Sequence, residues 1–312
     1  MNPSTETHIE NIGKLLGIGV LSTGVTAISF AAIFIKLCHA PALSIAAYRM
    51  LIAAVFFLLI SLFRRQPLFD RLSPYQFRLV IISGFFLALH FSLWISSLEY
   101  TSVASSVVLV TTNPLFVALG SVLYLKEPVN KWLLLAIFLT IFGSIVIGRH
   151  DFSVKSSQLF GDVLALLAAI GGSGYLLSGR ILRRSMDAFR YATLVYSVSA
   201  VFLILLALAT SSPFVGFRRI DYVYLLLLAI VPQMIGHTSI NWSLRFFSAS
   251  FVAIAILGEP IGSTILAYFI LGESVAPIKI LGAFFIILGI AIGIKGEINY
   301  KFEINSKIIK KY

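Results

Sequence analysis

Ten blocks of apolar residues, each about 20 residues long, follow one another along this chain with only short polar linkers between them. A helix of about 20 residues rises roughly 30 Å, the thickness of a bilayer's hydrocarbon core. Inside that core each backbone N–H and C=O must be bonded within the protein, and a helix achieves this within one segment. The blocks therefore predict an all-α polytopic membrane protein with ten transmembrane helices. They fall at approximately Leu15–Ile35, Leu43–Phe63, Phe77–Leu98, Ser102–Leu123, Trp132–Ile147, Gly161–Leu182, Tyr191–Thr210, Tyr222–Trp242, Ser248–Leu271 and Ile278–Ile294. Charged residues are 12% of the chain, about half the soluble average. The first block follows Glu6 and Glu10 with no convincing cleavage site, so it reads as a retained span. Cys38 is the single cysteine, which excludes an intrachain disulfide and a cysteine-built metal site.

The net charge is +11. In a soluble protein that would suggest nucleic acid; here Lys and Arg sit in short loops, where topology accounts for them and no nucleic-acid partner is implied. Lys14, Arg64, Arg65, Arg71, Arg78, Lys126, Lys131, Arg180, Arg183, Arg184, Arg190, Arg245, Lys295, Lys301, Lys307, Lys310 and Lys311 assign to the amino-terminal side, 17 of the 24 basic residues. Lys36, Arg49, Arg149, Lys155, Arg218, Arg219 and Lys279 assign to the other. Both termini are expected in the cytoplasm, as an even number of spans requires, with the chain in the cytoplasmic (inner) membrane. The basic tail reads as a topology anchor against membrane lipid.

A shift of 146 positions lays the second half on the first. Asn113–Glu127, NPLFVALGSVLYLKE, falls on Glu259–Glu273, EPIGSTILAYFILGE. Pro114 meets Pro260, and Gly143 meets Gly289. Five spans per copy is an odd number, so the copies enter the membrane in opposite senses. The expected organisation is an N-terminal segment 1–13, a first repeat 14–148, a linker 149–159, a second repeat 160–295 and a tail 296–312. Inverted repeats characterise secondary transporters, whose substrate site lies where the repeats meet.

Pro260 and Pro114 each remove an amide from a helix, freeing the carbonyls of Ile256 and Val110 near mid-membrane. Such backbone is tolerated where it is buried in protein or faces a wet cavity. Glu259 adds a carboxylate costing about 2–3 kcal/mol or more if charged there. Two roles fit it: a cap on the half-helix that starts at Pro260, and a part in substrate binding or proton coupling. Asn113 is its neutral counterpart. Gln233, His237 and Asn241 recur every four residues on the eighth span, and His90 and Trp94 do so on the third. The two stripes could face each other, although the histidines lie 147 apart and not 146. Each histidine can serve as a helix–helix hydrogen bond, a cavity group or a metal ligand. Tyr175, Ser178, Phe30 and Thr26 are weaker cavity candidates.

The pairs Gly13/Gly17, Gly258/Gly262 and Gly289/Gly293 have the spacing of close helix packing, within the chain or in a homodimer. Glu127 and Glu273 sit at span ends and read as solvated caps.

Taken together, the ten spans in two copies, NP-LF-AL----L-KE answered by EP-------F-LGE, and AAYRMLIAA at Ala46–Ala54 resemble the EamA-type transporters of the drug/metabolite transporter superfamily. The resemblance implies a carrier with a central cavity lined by spans one, three, four, six, eight and nine, working by alternating access. The small residues of GEPIGST depart from that family's commoner pattern. The expected cargo is a small polar or zwitterionic metabolite: an amino acid, a nucleoside derivative or an S-adenosylmethionine-like compound. A carboxylate can neutralise a cationic ligand and aromatic rings can stack on it. Proton coupling and exchange both remain open. A broad-specificity efflux carrier is the alternative. Outside that class stand a membrane-embedded enzyme and a channel, but the chain has no Walker loop, GxSxG elbow or metal-ligand cluster. No cofactor is implied.

Overall fold

The computed structural model describes residues 3–65, 67, 68, 70, 72–101, 103–148, 156–272 and 277–309. At the helical ends 3–15, 103–105, 148, 156–157 and 299–309 the description is of the backbone alone. Among the described residues the chain is all helical. Nine helices are long and apolar enough to cross a membrane, and Lys131–Ile147 is a shorter apolar one.

The first repeat comprises α1 (Pro3–Leu37), α2 (Ala42–Phe63), α3 (Pro74–Tyr100), a divided fourth span and α6 (Lys131–Gly148). The fourth span is α4 (Val103–Val110), α5 (Asn113–Gly120) and a π-helical stretch, Ser121–Leu125. The second repeat begins with α7 (Ser156–Arg183) and α8 (Ala188–Ala209). Its eighth span is α9 (Arg219–Leu228), a π stretch at Ala229–His237, and α10 (Thr238–Ser243). Its ninth is α11 (Ala249–Ile256), α12 (Glu259–Leu266) and a π stretch at Ala267–Leu271, and α13 (Pro277–Ile309) closes the fold.

The 146-residue shift holds at the level of single residues. It carries the limits of α2 onto α8, α4 onto α11, α5 onto α12, and the π stretch after α5 onto the one after α12. Lys126 and Gly272, also 146 apart, both end their spans with left-handed φ, +55° and +68°. The fold is therefore two inverted five-helix repeats.

Local chemistry sets several of the ends. Ser73 begins α3 with a reciprocal capping box: its Oγ accepts from Gln76 N at 3.1 Å, and its own N donates to Gln76 Oε1 at 3.0 Å. Pro74 follows at the first helical position, where its missing N–H costs nothing. Asp187 caps α8 by accepting from Arg190 N, and Ser248 caps α11 by accepting from Phe251 N. Outward-facing Phe138, Leu205 and Phe284 are all more than half exposed, as a hydrocarbon-facing surface requires.

The repeats interlock pairwise: α3 lies along α7, α2 along α8, and α6 along α13. Small residues let the helices approach. A side chain at Gly289 would meet Thr140 and the carbonyl of Ala136, one at Gly258 would meet Val25, and one at Gly262 would meet Ser29. Gly17 faces Phe247 and Gly293 faces Ile254. The spaced glycines are thus occupied by contacts inside the chain, apart from Gly13, whose side-chain position lies outside the described residues.

Two loop assignments need correction. Arg49, counted above with the loop after α1, lies within α2 and is wholly buried. The opposite-side set of basic residues loses one member and the bias strengthens. Glu127 is no solvated cap: it is 4% exposed. Its Oε1 accepts from Arg180 Nε at 2.9 Å and from Arg184 Nη2 at 2.8 Å, tying the end of the fourth span to α7. Glu273 lies outside the described residues.

Candidate functional site

The proline breaks open the middle of the fold. α4 stops at Val110, Thr111 and Thr112 form a turn, and α5 starts at Asn113. α11 stops at Ile256, Leu257 and Gly258 turn, and α12 starts at Glu259. With proline at 114 and 260, the carbonyls of Val110 and Ile256 lose the amides that an unbroken helix would offer. The next amides also change partner: Leu115 N bonds Thr112 O, and Ile261 N bonds Gly258 O. Val110, Thr111, Ile256 and Glu259 all line one cavity of about 60 Å³ at the seam of the repeats. Freed backbone at membrane depth thus borders a cavity, as the physics requires.

Both repeats furnish the remaining walls. Ile28, Ala31, Arg49, His90, Phe91, Trp94 and Asn113 come from the first. Gly172, Tyr175, Leu176, His237 and Ile240 come from the second. Of the residues expected at the site, Glu259, His237, His90, Trp94, Asn113 and Tyr175 meet here. His90 stacks on Trp94 with ring centres 6.1 Å apart and planes at 12°. Its Nδ1 bonds the carbonyl of Ala168 on α7 at 2.9 Å. His237 packs edge-on against Phe91, ring centres 5.2 Å apart. Neither break is capped by a side-chain hydrogen bond, and Glu259 lies in the first turn of α12, where a carboxylate suits the positive helix end.

Five expected residues stand behind the wall or away from it. Gln233 is wholly buried and accepts from Arg49 Nε at 2.9 Å. Asn241, also wholly buried, accepts from the Tyr175 hydroxyl at 2.8 Å and approaches Tyr196 at 3.3 Å. Ser178 turns its hydroxyl back to the carbonyl of Gly174. Phe30 stacks on Phe34, ring centres 5.6 Å apart. Thr26 is exposed; the cavity face of α1 is made by Ile28 and Ala31.

Sequence reasoning missed Arg49. Its guanidinium lies 4.1 Å above the ring of Phe91 and lines the same cavity as Glu259. A lone arginine inside AAYRMLIAA was the available signal, since an ionisable residue within a span is a site candidate by default. The repeat shift gives the asymmetry of charge. Arg49 corresponds to Val195, and Glu259 to Asn113, so each charge stands opposite a neutral residue.

Two inverted five-helix halves, each with a broken helix at a shared polar cavity, make a membrane transporter. The chain belongs to the EamA-like transporter family, whose sequence model matches residues 15–149 and 159–294. An uncharacterized transporter of Clostridium kluyveri is 24% identical over 220 residues, 69% of this chain and 69% of its own length. One of Archaeoglobus fulgidus is 24% identical over 267 residues, 84% of this chain and 91% of its own. A solved crystal structure matches with a TM-score of 0.74 at 16% identity, covering 88% of this chain and 95% of its own, a likeness of fold.

Proposed function

We propose that this protein is a secondary carrier that moves a small polar or zwitterionic metabolite by alternating access, with both termini in the cytoplasm. One observation carries the reading. Glu259, His237, Tyr175, His90, Asn113 and Trp94, drawn from both repeats, converge on one cavity between two broken helices. With about 60 Å³ of water-accessible space the cavity has room for a few waters, so a metabolite enters as the halves part. The aromatic walls suit stacking on a base or cation, and Glu259 suits a cationic group. Amino acids, nucleoside derivatives and S-adenosylmethionine-like compounds fit that description.

Reconstitution into liposomes tests it. Labelled amino acids, nucleosides and S-adenosylmethionine are screened for uptake and counterflow, with and without a pH gradient. Saturable uptake with trans-stimulation is expected. Flux that neither saturates nor responds to trans substrate points to a channel, and chemical conversion of the cargo points to an enzyme. Glu259→Gln should lower transport roughly tenfold, the worth of one charge-assisted contact, or move its pH profile, while thermal unfolding stays near that of the parent. Unchanged flux with an unchanged pH profile removes Glu259 from the site.

A further inference from the structure

The hydrogen-bond inventory of the cavity is unbalanced. Arg49 is 0% exposed, and its Nε is committed to Gln233. Among the described residues its Nη1 and Nη2 have no hydrogen-bond partner, and neither do Nε1 of Trp94, Nδ1 of His237 and the acceptor Oδ1 of Asn113 on the same lining. Arg49 and Trp94 both line the cavity. Buried donors, charged ones above all, carry a large cost when left without acceptors. Glu259 is the one carboxylate on the lining, yet no ion pair within 4.0 Å joins it to Arg49 among the described residues.

We propose that Arg49 is a carboxylate-binding subsite. The cargo places a carboxylate on Nη1 and Nη2 of Arg49, within reach of Trp94 Nε1, and directs a cationic group toward Glu259. This rests on the carrier reading above and narrows its cargo to compounds of amino-acid type. Three features select that chemistry. Two free guanidinium nitrogens present the planar fork that a carboxylate meets in bidentate fashion. One positive and one negative side chain on the lining match a ligand with one charge of each sign. A doubly charged phosphate ester would instead bring excess negative charge beside Glu259. The repeat also argues for a specific role: the symmetric position is Val195, so the scaffold at this place does not require an arginine.

Occupancy can be read without transport. The chain has three tryptophans, and Trp132→Phe with Trp242→Phe leaves Trp94 as the sole reporter on the cavity wall. The purified protein in detergent is titrated with propionate, alanine, alaninamide and chloride while Trp94 emission is followed. Propionate and alanine should give saturable changes. Alaninamide, which lacks the carboxylate, should bind at least tenfold more weakly, as should chloride, which cannot engage the fork as a carboxylate does. Arg49→Gln and Arg49→Lys should each weaken alanine binding at least tenfold, with folding checked by circular dichroism. If neither variant folds, the alanine-to-alaninamide ratio in the Arg49 protein decides alone. Equal affinity for acid and amide, equal affinity for chloride and propionate, no saturable response to either acid, or undiminished alanine binding by folded Arg49→Gln would each overturn the proposal. The liposome assay is independent. Flux without an Arg49 effect on occupancy sinks the subsite and leaves the carrier; occupancy without flux does the reverse.

Discussion

Replacing Gly143 with alanine should loosen the seam between α6 and α13. An added Cβ would stand 2.5 Å from the carbonyl oxygen of Gly282, 2.8 Å from Ile286 Cγ1 and 2.9 Å from Ile286 N. Two of these neighbours are backbone atoms, which no rotamer change can move. Ordinary carbon contacts lie at about 3.5–4.0 Å, so the helices must separate by about 1 Å. A gap of that size forfeits roughly a quarter to a half of each dispersion contact along the seam. Overpacking of this kind costs about 1–3 kcal/mol, against a gain of at most about 1 kcal/mol in helix propensity. The net expectation is a loss of about 1–2 kcal/mol. Gly282→Ala should behave alike, because its Cβ would stand 2.6 Å from the carbonyl of Gly143. The double substitution should cost less than the sum, since one separation relieves both clashes. Gly19→Ala is the control: nothing lies within 4 Å of its added Cβ, and it should be neutral or slightly stabilising. Thermal unfolding of the detergent-solubilised protein reads all four variants. Gly143→Ala melting at or above the parent, with Gly19→Ala behaving as stated, refutes the packing argument.

Glu127→Gln should destabilise the fold by about 1–3 kcal/mol, because it strips the carboxylate from Arg180 and Arg184; thermal melting reads it, and the half-exposed Arg184 makes the loss smaller in high salt. Asn241→Leu should cost about 1–3 kcal/mol by removing the acceptor of the buried Tyr175 hydroxyl, and should weaken substrate affinity through the displaced ring, measured as a rise in KM. Membrane orientation is testable by thiol labelling. Cys38 is 7% exposed and burial pushes its thiol pKa up, so the parent chain should react slowly with maleimide. On that quiet background, Val215→Cys should label from outside intact cells and Pro67→Cys only after permeabilisation; the reverse pattern refutes cytoplasmic termini.

The length of the apolar blocks located the spans, because in hydrocarbon a helix must satisfy its own backbone and must be long enough to cross. Pro114 and Pro260 marked both breaks for an equally local reason, a missing amide. Arg49 was hidden by the same logic. Close to a span end it was counted with the basic residues of the neighbouring loop, and only the packing of α2 against α8 and the eighth span shows that it is enclosed. Glu127 was misread because its partners arrive from α7, more than 50 positions along the chain. The stripe of Gln233, His237 and Asn241 assumed α-helical phase, whereas Ala229–His237 is π-helical. A π stretch packs more residues into each turn and rotates everything beyond it. Both histidines still reach the cavity, with a separation one residue off the repeat.

The opposition of Arg49 to Val195 and of Glu259 to Asn113 bears on what happens in transit. In the proposed alternating-access cycle the inverted halves trade shapes, so that the doorway on one face of the membrane becomes the doorway on the other. Their charges cannot trade, since the mirror positions are neutral. A dipolar passenger anchored at both ends would keep the same heading relative to the protein from boarding to exit, so the end that leads on the way out would trail on the way in.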